Sequence, residues 1–309
     1  MSWLALIIIA VIGDSTRIFL DNYSTDVFYK GRGANAQKLF FGYAHVIVWV
    51  LLGVIFGFGL DKLSWGMILN LLVSGILSSV AGIFYYKALE IDDSTNLTIF
   101  IQLAPILYLI MGWIFMGESI SLLQMLAFLV ILMGPTLIIL TTRKRSRKTK
   151  MRAVFIAGLY VLISVFGNLI FTYAAKYSSG EISFVTTMLW MLLGKGVANL
   201  AIVYANRKLV RRWREVFKKS HGKVLQPLMV NEIVYVVKDF AYRGALVVAP
   251  AVAVASAVGD SAEPIVTFLL GVVLTLIWPK FGREKLNRKS VMVHLAATIL
   301  VVIGVILIQ

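Results

Sequence analysis

Between residues 231 and 267 the chain gathers Asn231, Glu232, Tyr235, Lys238, Asp239, Tyr242 and Arg243, then Ser256, Asp260, Glu263 and Thr267. At about 100° per residue the residues from Asn231 to Arg243 fall inside an arc of roughly 140° on one helix, with Ile233, Val234, Val236, Val237, Phe240 and Ala241 on the rest. Such a stripe has two chemistries. Lys238 or Arg243 is suited to hold an anionic group of a substrate, with Tyr235 and Tyr242 beside it, and Asp239 is suited to take a proton or a cation. The competing reading is internal neutralisation, because Asp239 and Arg243 are an i,i+4 ion pair. Asp260 and Glu263 share the face of a second helix with Ser256 and Thr267. Two carboxylates one turn apart repel when both are ionised, which makes either a candidate proton or ion carrier. Alternatively Asp260 caps its helix and faces lipid headgroups.

Three further positions carry polar groups inside apolar runs. Asp14 and Arg17 stand three residues apart in "VIGDSTRIFL" (11–20). They either line a cavity, or pair while Arg17 snorkels to the membrane boundary. Thr98 and Gln102 lie with Thr95 on one neutral stripe that suits hydrogen bonding to a polar ligand. Asn168 recurs where a repeat described below places Asp14. Lys195 and Asn199 form a pair read as structural, and Gly53 and Gly57 have the spacing of close-packed membrane helices. A lone charge at mid-span costs about 2.5 to 3.5 kcal/mol on insertion scales, so each of these residues requires a partner or a cavity.

The elements that must position these groups are membrane helices. Of 309 residues 60% are hydrophobic and 15% charged, and the mean hydropathy is +0.88, too apolar for an ordinary soluble domain of this length. Spans of about 20 apolar residues are predicted near 3–20, 40–60, 65–89, 94–116, 120–141, 153–175, 182–205, 224–248, 252–279 and 290–309. Period-2 alternation is missing, which argues against a barrel. The first run lacks a basic leader and a small-residue cleavage pattern, so it reads as a retained helix. With no cysteine, disulfides and thiolate chemistry are excluded. His45, His221 and His294 are scattered, no Walker lysine motif is present, and no metal or cofactor is implied.

The net charge of +15 lies mainly in connectors. Residues 142–152 hold seven Lys or Arg, 206–223 eight, 280–289 five and 21–39 three, against Lys62 and Lys176 on the other side. The positive-inside rule explains this better than nucleic-acid binding. It puts the basic loops in the cytoplasm and both termini outside, in a plasma (inner) membrane.

The chain also repeats itself. "VIGDSTRIFLDNYS" (11–24) and "VFGNLIFTYAAKYSS" (165–179) share a Val, a Gly, Asp or Asn, and Tyr-Ser, with Gly13 matching Gly167 and Asp14 matching Asn168. "YYKAL" (85–89) is similar to "AYRGAL" (241–246), and Pro105 corresponds to Pro264. Five spans per half is an odd number, so the second copy enters the membrane inverted, the plan of secondary transporters. The expected units are 1–141 and 153–309, joined by the basic linker 142–152.

Residues 85–134, "YYKALEIDDSTNLTIFIQLAPILYLIMGWIFMGESISLLQMLAFLVILMG", resemble the EamA-like branch of the drug/metabolite transporter superfamily. The resemblance rests on the aromatic-x-x-Ala-Leu run, Ala104-Pro105, Gly117-Glu118, Gln124 and Gly134. It implies an all-α membrane protein of ten helices in two inverted five-helix repeats, a central cavity lined by helices 1, 3, 4 and 6, 8, 9, and alternating access. The second half departs from it, with residues 278–290 standing where the first has the compact "GESIS", so that Glu284 matches Glu118 only loosely. The resemblance also implies cytoplasmic termini, whereas the loop charges place them outside; the charge reading is kept. The expectation is a secondary active or facilitative transporter of a small polar or charged metabolite, not an enzyme, working in a lipid bilayer as a monomer or homodimer. The alternatives are a membrane-embedded enzyme or a non-transporting structural membrane protein.

Overall fold

The computed structural model describes residues 2–30, 32–59, 63–91, 104–119, 121–142, 147–176, 183–277 and 288–308. Among them nearly all residues are helical and none is in a strand. The α-helices are α1 (Trp3–Tyr23), α2 (Lys38–Phe56), α3 (Trp65–Ile91), α4 (Ala104–Met116), α5 (Leu122–Thr142), α6 (Arg147–Lys176), α7 (Phe184–Tyr204), α8 (Arg207–Lys219), α9 (Leu225–Val248), α10 (Val252–Ile277) and α11 (Arg288–Ile308). A π-helical turn, Ser24–Phe28, follows α1, and a 3-10 turn, Ala34–Gln37, leads into α2.

Among the described residues six stretches are long and apolar enough to cross a membrane: Trp3–Phe28, Ala34–Phe56, Trp65–Glu90, Phe155–Lys176, Phe184–Tyr204 and Val252–Ile277. Ala104–Met116, Leu122–Gly134 and Leu295–Leu307 are shorter apolar helices. α9 meets the length but carries Glu232, Lys238, Asp239 and Arg243, which lower its hydropathy. Its apolar side shows where it faces. Ile233, Val237 and Val248 are exposed, whereas Asn231, Glu232, Asp239 and Arg243 are buried. That is the reverse of a water-soluble helix, and it is stable only where the surrounding medium is itself apolar.

The helix count differs from the ten expected spans by α8, which forms inside the stretch 206–223 read as a plain basic connector. Asn206 caps it, its side chain accepting from the Lys208 N–H at 3.1 Å. Leu209, Val210, Trp213, Val216 and Phe217 share one arc and the seven bases the other. Arg212 ties the helix down by donating to the Tyr29 carbonyl at 2.7 Å. The first span is also longer than its apolar run, continuing through buried Asp21.

The chain divides into two compact units. One comprises residues 1–23, 93–154 and 234–309, the other 24–92 and 155–233. Compactness thus groups helices from both ends of the chain, unlike the sequential repeat.

In the unit 24–92 and 155–233, α7 packs on α2 and α3 through residues that lack bulk. A Cβ placed on Gly75 would lie 2.1 Å from the Met191 carbonyl oxygen, and one on Gly194 2.3 Å from that of Leu72. Polar groups lock the same seam. Ser79 Oγ donates to the Lys195 carbonyl at 3.0 Å, and buried Lys38 donates to the Ser79 carbonyl at 2.9 Å and to Asn199 Oδ1 at 3.2 Å. Lys195 and Asn199 are therefore buried parts of this seam, as their structural reading requires. The Gly53/Gly57 spacing has a different basis from helix packing. Gly53 lies under the Phe58 ring, whereas Gly57 ends α2 at φ 79° with nothing within 4 Å of a Cβ.

In the unit 1–23, 93–154 and 234–309, α11 packs against α5, and α10 against α1, α4 and α5. Gly304 admits Ile131 and Gly134 admits the Ala297 backbone.

The seam between α3 and α7 supplies a test. Gly75→Ala and Gly194→Ala each place a methyl group against backbone that cannot rotate away, and each is expected to lower stability by about 1 to 3 kcal/mol. Thermal unfolding of the purified protein in detergent checks this. Because both changes strain one seam, the double variant should lose less than the two single losses combined.

Candidate functional site

The site is built from α1, residues 234–248 of α9, and α10, within one compact unit. Helical spacing does the first part of the work. On α1, Asp14, Arg17 and Asp21 follow at i, i+3 and i+7, so a single face presents acid, base, acid. On α9, Tyr235, Lys238, Asp239, Tyr242 and Arg243 occupy the inward arc. On α10, Ser256, Asp260, Glu263 and Thr267 follow at the same rhythm, and Pro264, which has no N–H, leaves the Asp260 carbonyl without its usual helical donor.

Contact between α1 and α9 is possible because residue 13 is glycine. A Cβ there would lie 2.5 Å from the Cβ of Lys238. At that closeness the Lys238 ammonium reaches Asp14, with Nζ 2.7 Å from Oδ1 and 2.9 Å from Oδ2. Arg17 is 3.9 Å from Asp14 and turns forward to Asp21, 3.3 Å away. Asp14 is thus held across two helices, more closely than by its sequence neighbour. The Tyr235 ring lies between the two bases, 4.7 Å from the Arg17 guanidinium carbon and 5.5 Å from Lys238 Nζ. Cations over a tyrosine face gain a further attraction that grows as water is excluded.

α1 and α10 are joined through hydroxyls. Ser15 Oγ and Thr267 Oγ1 are 3.0 Å apart, and Ser15 also donates to the Glu263 carbonyl at 3.4 Å. Ser256 Oγ donates to Asp260 Oδ2 at 2.6 Å. Tyr242, within hydrogen-bonding reach of Ser256 and Tyr108, packs over Gly259. On α9 the Arg243 Nε lies 3.3 Å from Asp239 Oδ1, so the i,i+4 pair does form, fully buried.

Glu263 differs from its neighbours. It is 7% exposed, in electrostatic reach of Asp14, Asp260, Lys238 and Arg17. Among the described residues its carboxylate makes no hydrogen bond or ion pair.

Several predicted residues stand elsewhere. Asn231 and Glu232 belong to the other unit, where Glu232 Oε1 is 3.2 Å from His45 Nδ1. Asn168, also in that unit, is half-buried on α6, and its carbonyl accepts from Thr172 Oγ1 at 2.9 Å. Thr98 and Gln102 lie outside the described residues. Asp21, Ser15 and Tyr108 were not singled out from sequence. Asp21 was legible as an acid one turn beyond Arg17, but the other two are ordinary residue types that only packing brings here. No three described His, Asp or Glu side chains form a metal-ligand group.

Glu118 has a structural task. Its carboxylate Oε2 accepts the Val252 N–H at 2.8 Å, where α10 begins and unsatisfied N–H groups favour a negative partner. Gly117, at φ 64°, makes the turn that precedes it. The Gly-Glu pair thus fixes the origin of the helix that carries Asp260 and Glu263.

The model of the EamA-like transporter family matches residues 24–141. Over that stretch the chain is similar to the EamA-like transporter family. This family, part of the drug/metabolite transporter superfamily, is one of membrane transporters rather than enzymes, and with the apolar helices it marks a multi-pass membrane protein. No curated protein matches the chain. Among solved structures, one described as "Crystal structure of protein" is similar to 97% of this chain over 96% of its own length, with a TM-score of 0.55 and 16% identity. At that identity the likeness concerns fold alone.

The ion pair between α1 and α9 gives a direct test. Asp14→Asn leaves the Lys238 ammonium in an apolar bundle without its carboxylate and is expected to cost about 1 to 3 kcal/mol in thermal unfolding. The exchange Asp14→Lys with Lys238→Asp should recover most of that loss. If Asp14→Asn is silent, the pair does not hold the helices.

Proposed function

We propose that this EamA-like protein is a secondary active or facilitative transporter of a small polar or charged metabolite. It works by alternating access, with ten membrane-crossing helices arranged as two inverted five-helix repeats, 1–141 and 153–309. The reading has it in the plasma (inner) membrane, as a monomer or homodimer, with both termini outside. Glu263, Asp260 and Asp239 serve as the proton or ion carriers, and Tyr235, Lys238, Tyr242 and Arg243 as substrate contacts.

The observation that carries this reading is the concentration of buried charge on α1, α9 and α10 in a protein whose outer surface is apolar. A purely structural membrane protein gains little from such a cluster, since buried ion pairs seldom repay their desolvation. A transporter gains a set of contacts that can be traded. Lys238 can release Asp14, and Arg243 can release Asp239, when a ligand or a proton takes the partner's place. The first exchange changes whether α9 is tied to α1, and alternating access requires a change of that kind; the second frees charges within α9.

Vesicles reconstituted with the purified protein test the reading. Labelled amino acids, nucleosides, nucleotide sugars and amines are offered with and without an imposed pH gradient. At least one is expected to accumulate above empty vesicles. Glu263→Gln should abolish any response to the gradient, and Asp239→Asn should reduce uptake. Folded protein that moves none of these solutes would overturn the transporter reading.

The orientation has its own test, made simple by the lack of native cysteine. In Ser2→Cys the new thiol is the only one present, and it should react with a membrane-impermeant maleimide applied to intact cells. Reaction only after the cells are opened would place the N-terminus inside.

A further inference from the structure

The charges of the site do not balance. The polar faces of α1, α10 and residues 234–248 of α9 bear five carboxylates, Asp14, Asp21, Asp239, Asp260 and Glu263, against three bases, Arg17, Lys238 and Arg243. The described parts of α4 and α5 add no charge. Every base has a carboxylate close by: Lys238 has Asp14 at 2.7 Å, Arg17 has Asp21 at 3.3 Å and Arg243 has Asp239 at 3.3 Å. The surplus is negative and rests on α10.

Of the two carboxylates there, Asp260 receives the Ser256 hydroxyl. Glu263 receives nothing among the described residues, although it is 7% exposed. The groups that face it are Asp14 and Arg17 from α1, Lys238 from α9 and Asp260 from its own helix. Both nearby bases are already engaged. With none among the described residues, a buried carboxylate in this position calls for a positive partner or a proton.

We propose that Glu263, with Asp260 one turn before it, binds the ammonium group of an organic cation, and that the cation and a proton compete for this carboxylate. That such a cation is then carried across the membrane rests on the transporter reading given above. An organic body fits better than a bare ion, because the Tyr242 ring lies over Gly259, beside Asp260, with the Tyr108 hydroxyl next to its own, where an aromatic face can meet an ammonium group. An anionic substrate fits less well. It would have to displace a carboxylate from Lys238, Arg17 or Arg243 and leave a further acid uncompensated.

One scaffold in three charge states tests the proposal: phenethylamine (cation), 2-phenylethanol (neutral) and phenylacetate (anion), each titrated calorimetrically into the full-length protein in nanodiscs. Phenethylamine is expected to bind and to weaken as pH is lowered, while the other two do not bind. Glu263→Gln should weaken the amine by roughly tenfold or more, the scale of one charge-assisted contact, and Glu263→Asp should keep part of the affinity. Circular dichroism and gel filtration confirm folding; if Glu263→Gln does not fold, proton competition in the unchanged protein and the Glu263→Asp titration decide. Phenylacetate binding in place of the amine would overturn the proposal. So would amine affinity indifferent to Glu263→Gln or to pH, sodium displacing the amine where protons do not, or no binding by methylammonium, phenethylamine or spermidine. Amine binding without vesicle uptake would leave the cation site standing and remove the transport reading; uptake of an anion without amine binding would do the opposite.

Discussion

A charge placed in hydrocarbon must meet its partner inside the protein, and the orientation of α9 follows from that constraint. Lys238 finds Asp14 on α1 at 2.7 Å, and it can do so only because Gly13 removes the side chain that would hold the two helices apart. Once this pair is formed, rotation about the α9 axis is restricted. Asp239 and Arg243 turn inward with Lys238, and Ile233 and Val237 turn outward. The apolar exterior is in this sense a consequence of the ion pair as much as of hydrophobicity, because lipid offers no hydrophobic drive for one apolar face over another.

The two compact units answer this lack of drive in different ways. One relies on close approach. At Gly75 and Gly194 backbone meets backbone between α3 and α7, with Lys38 and Ser79 donating across the seam. Its seam hydrogen bonds run to the Ser79 and Lys195 carbonyls and to Asn199 Oδ1. The other unit holds α1 and α10 together through hydroxyls and α1 and α9 through an ion pair. Hydroxyls and carboxylates can exchange partners at little cost once a competing group arrives, whereas a glycine seam admits only one packing. Permanence and exchangeability are thus assigned to different sets of helices.

What could be read from the sequence follows the range of the interactions. Span positions depend on hydropathy over about twenty residues, and the apolar runs at 3–20, 65–89 and 252–279 became α1, α3 and α10. The arc of α9 depends on helical period: Asn231, Glu232, Asp239 and Arg243 are buried and Ile233 and Val237 exposed, but Ala241, placed on the apolar side, is buried too. Partner choice depends on which helices touch, and sequence proximity misled there: Arg17 stands three residues from Asp14 yet lies closer to Asp21, while Asp14 goes to a lysine 224 residues away. α8 was hidden for another reason. Its signal is the segregation of Val216 and Phe217 from seven bases, and a search for apolar runs passes over a segment with that many charges. Gly57 shows the same limit on a smaller scale, since its spacing from Gly53 suggested packing and its backbone needed a positive φ.

The repeat in the sequence sharpens the meaning of Glu263. If two copies of one five-helix unit were kept for architecture alone, their matching positions would drift toward equivalent, apolar residues. The matches that survive do so at Gly13 and Gly167, where backbones approach, and at Asp14 and Asn168, where only one copy keeps a charge. Glu263 goes further, since the corresponding residue is Ala104, buried and without any polar group. A scaffold can be duplicated without loss, but a buried carboxylate lacking a partner cannot, because each copy would add its own desolvation cost. Confining it to one copy limits that cost. The asymmetry between Glu263 and Ala104 thus marks a matched position where a buried charge stands in α10 and is not repeated in α4.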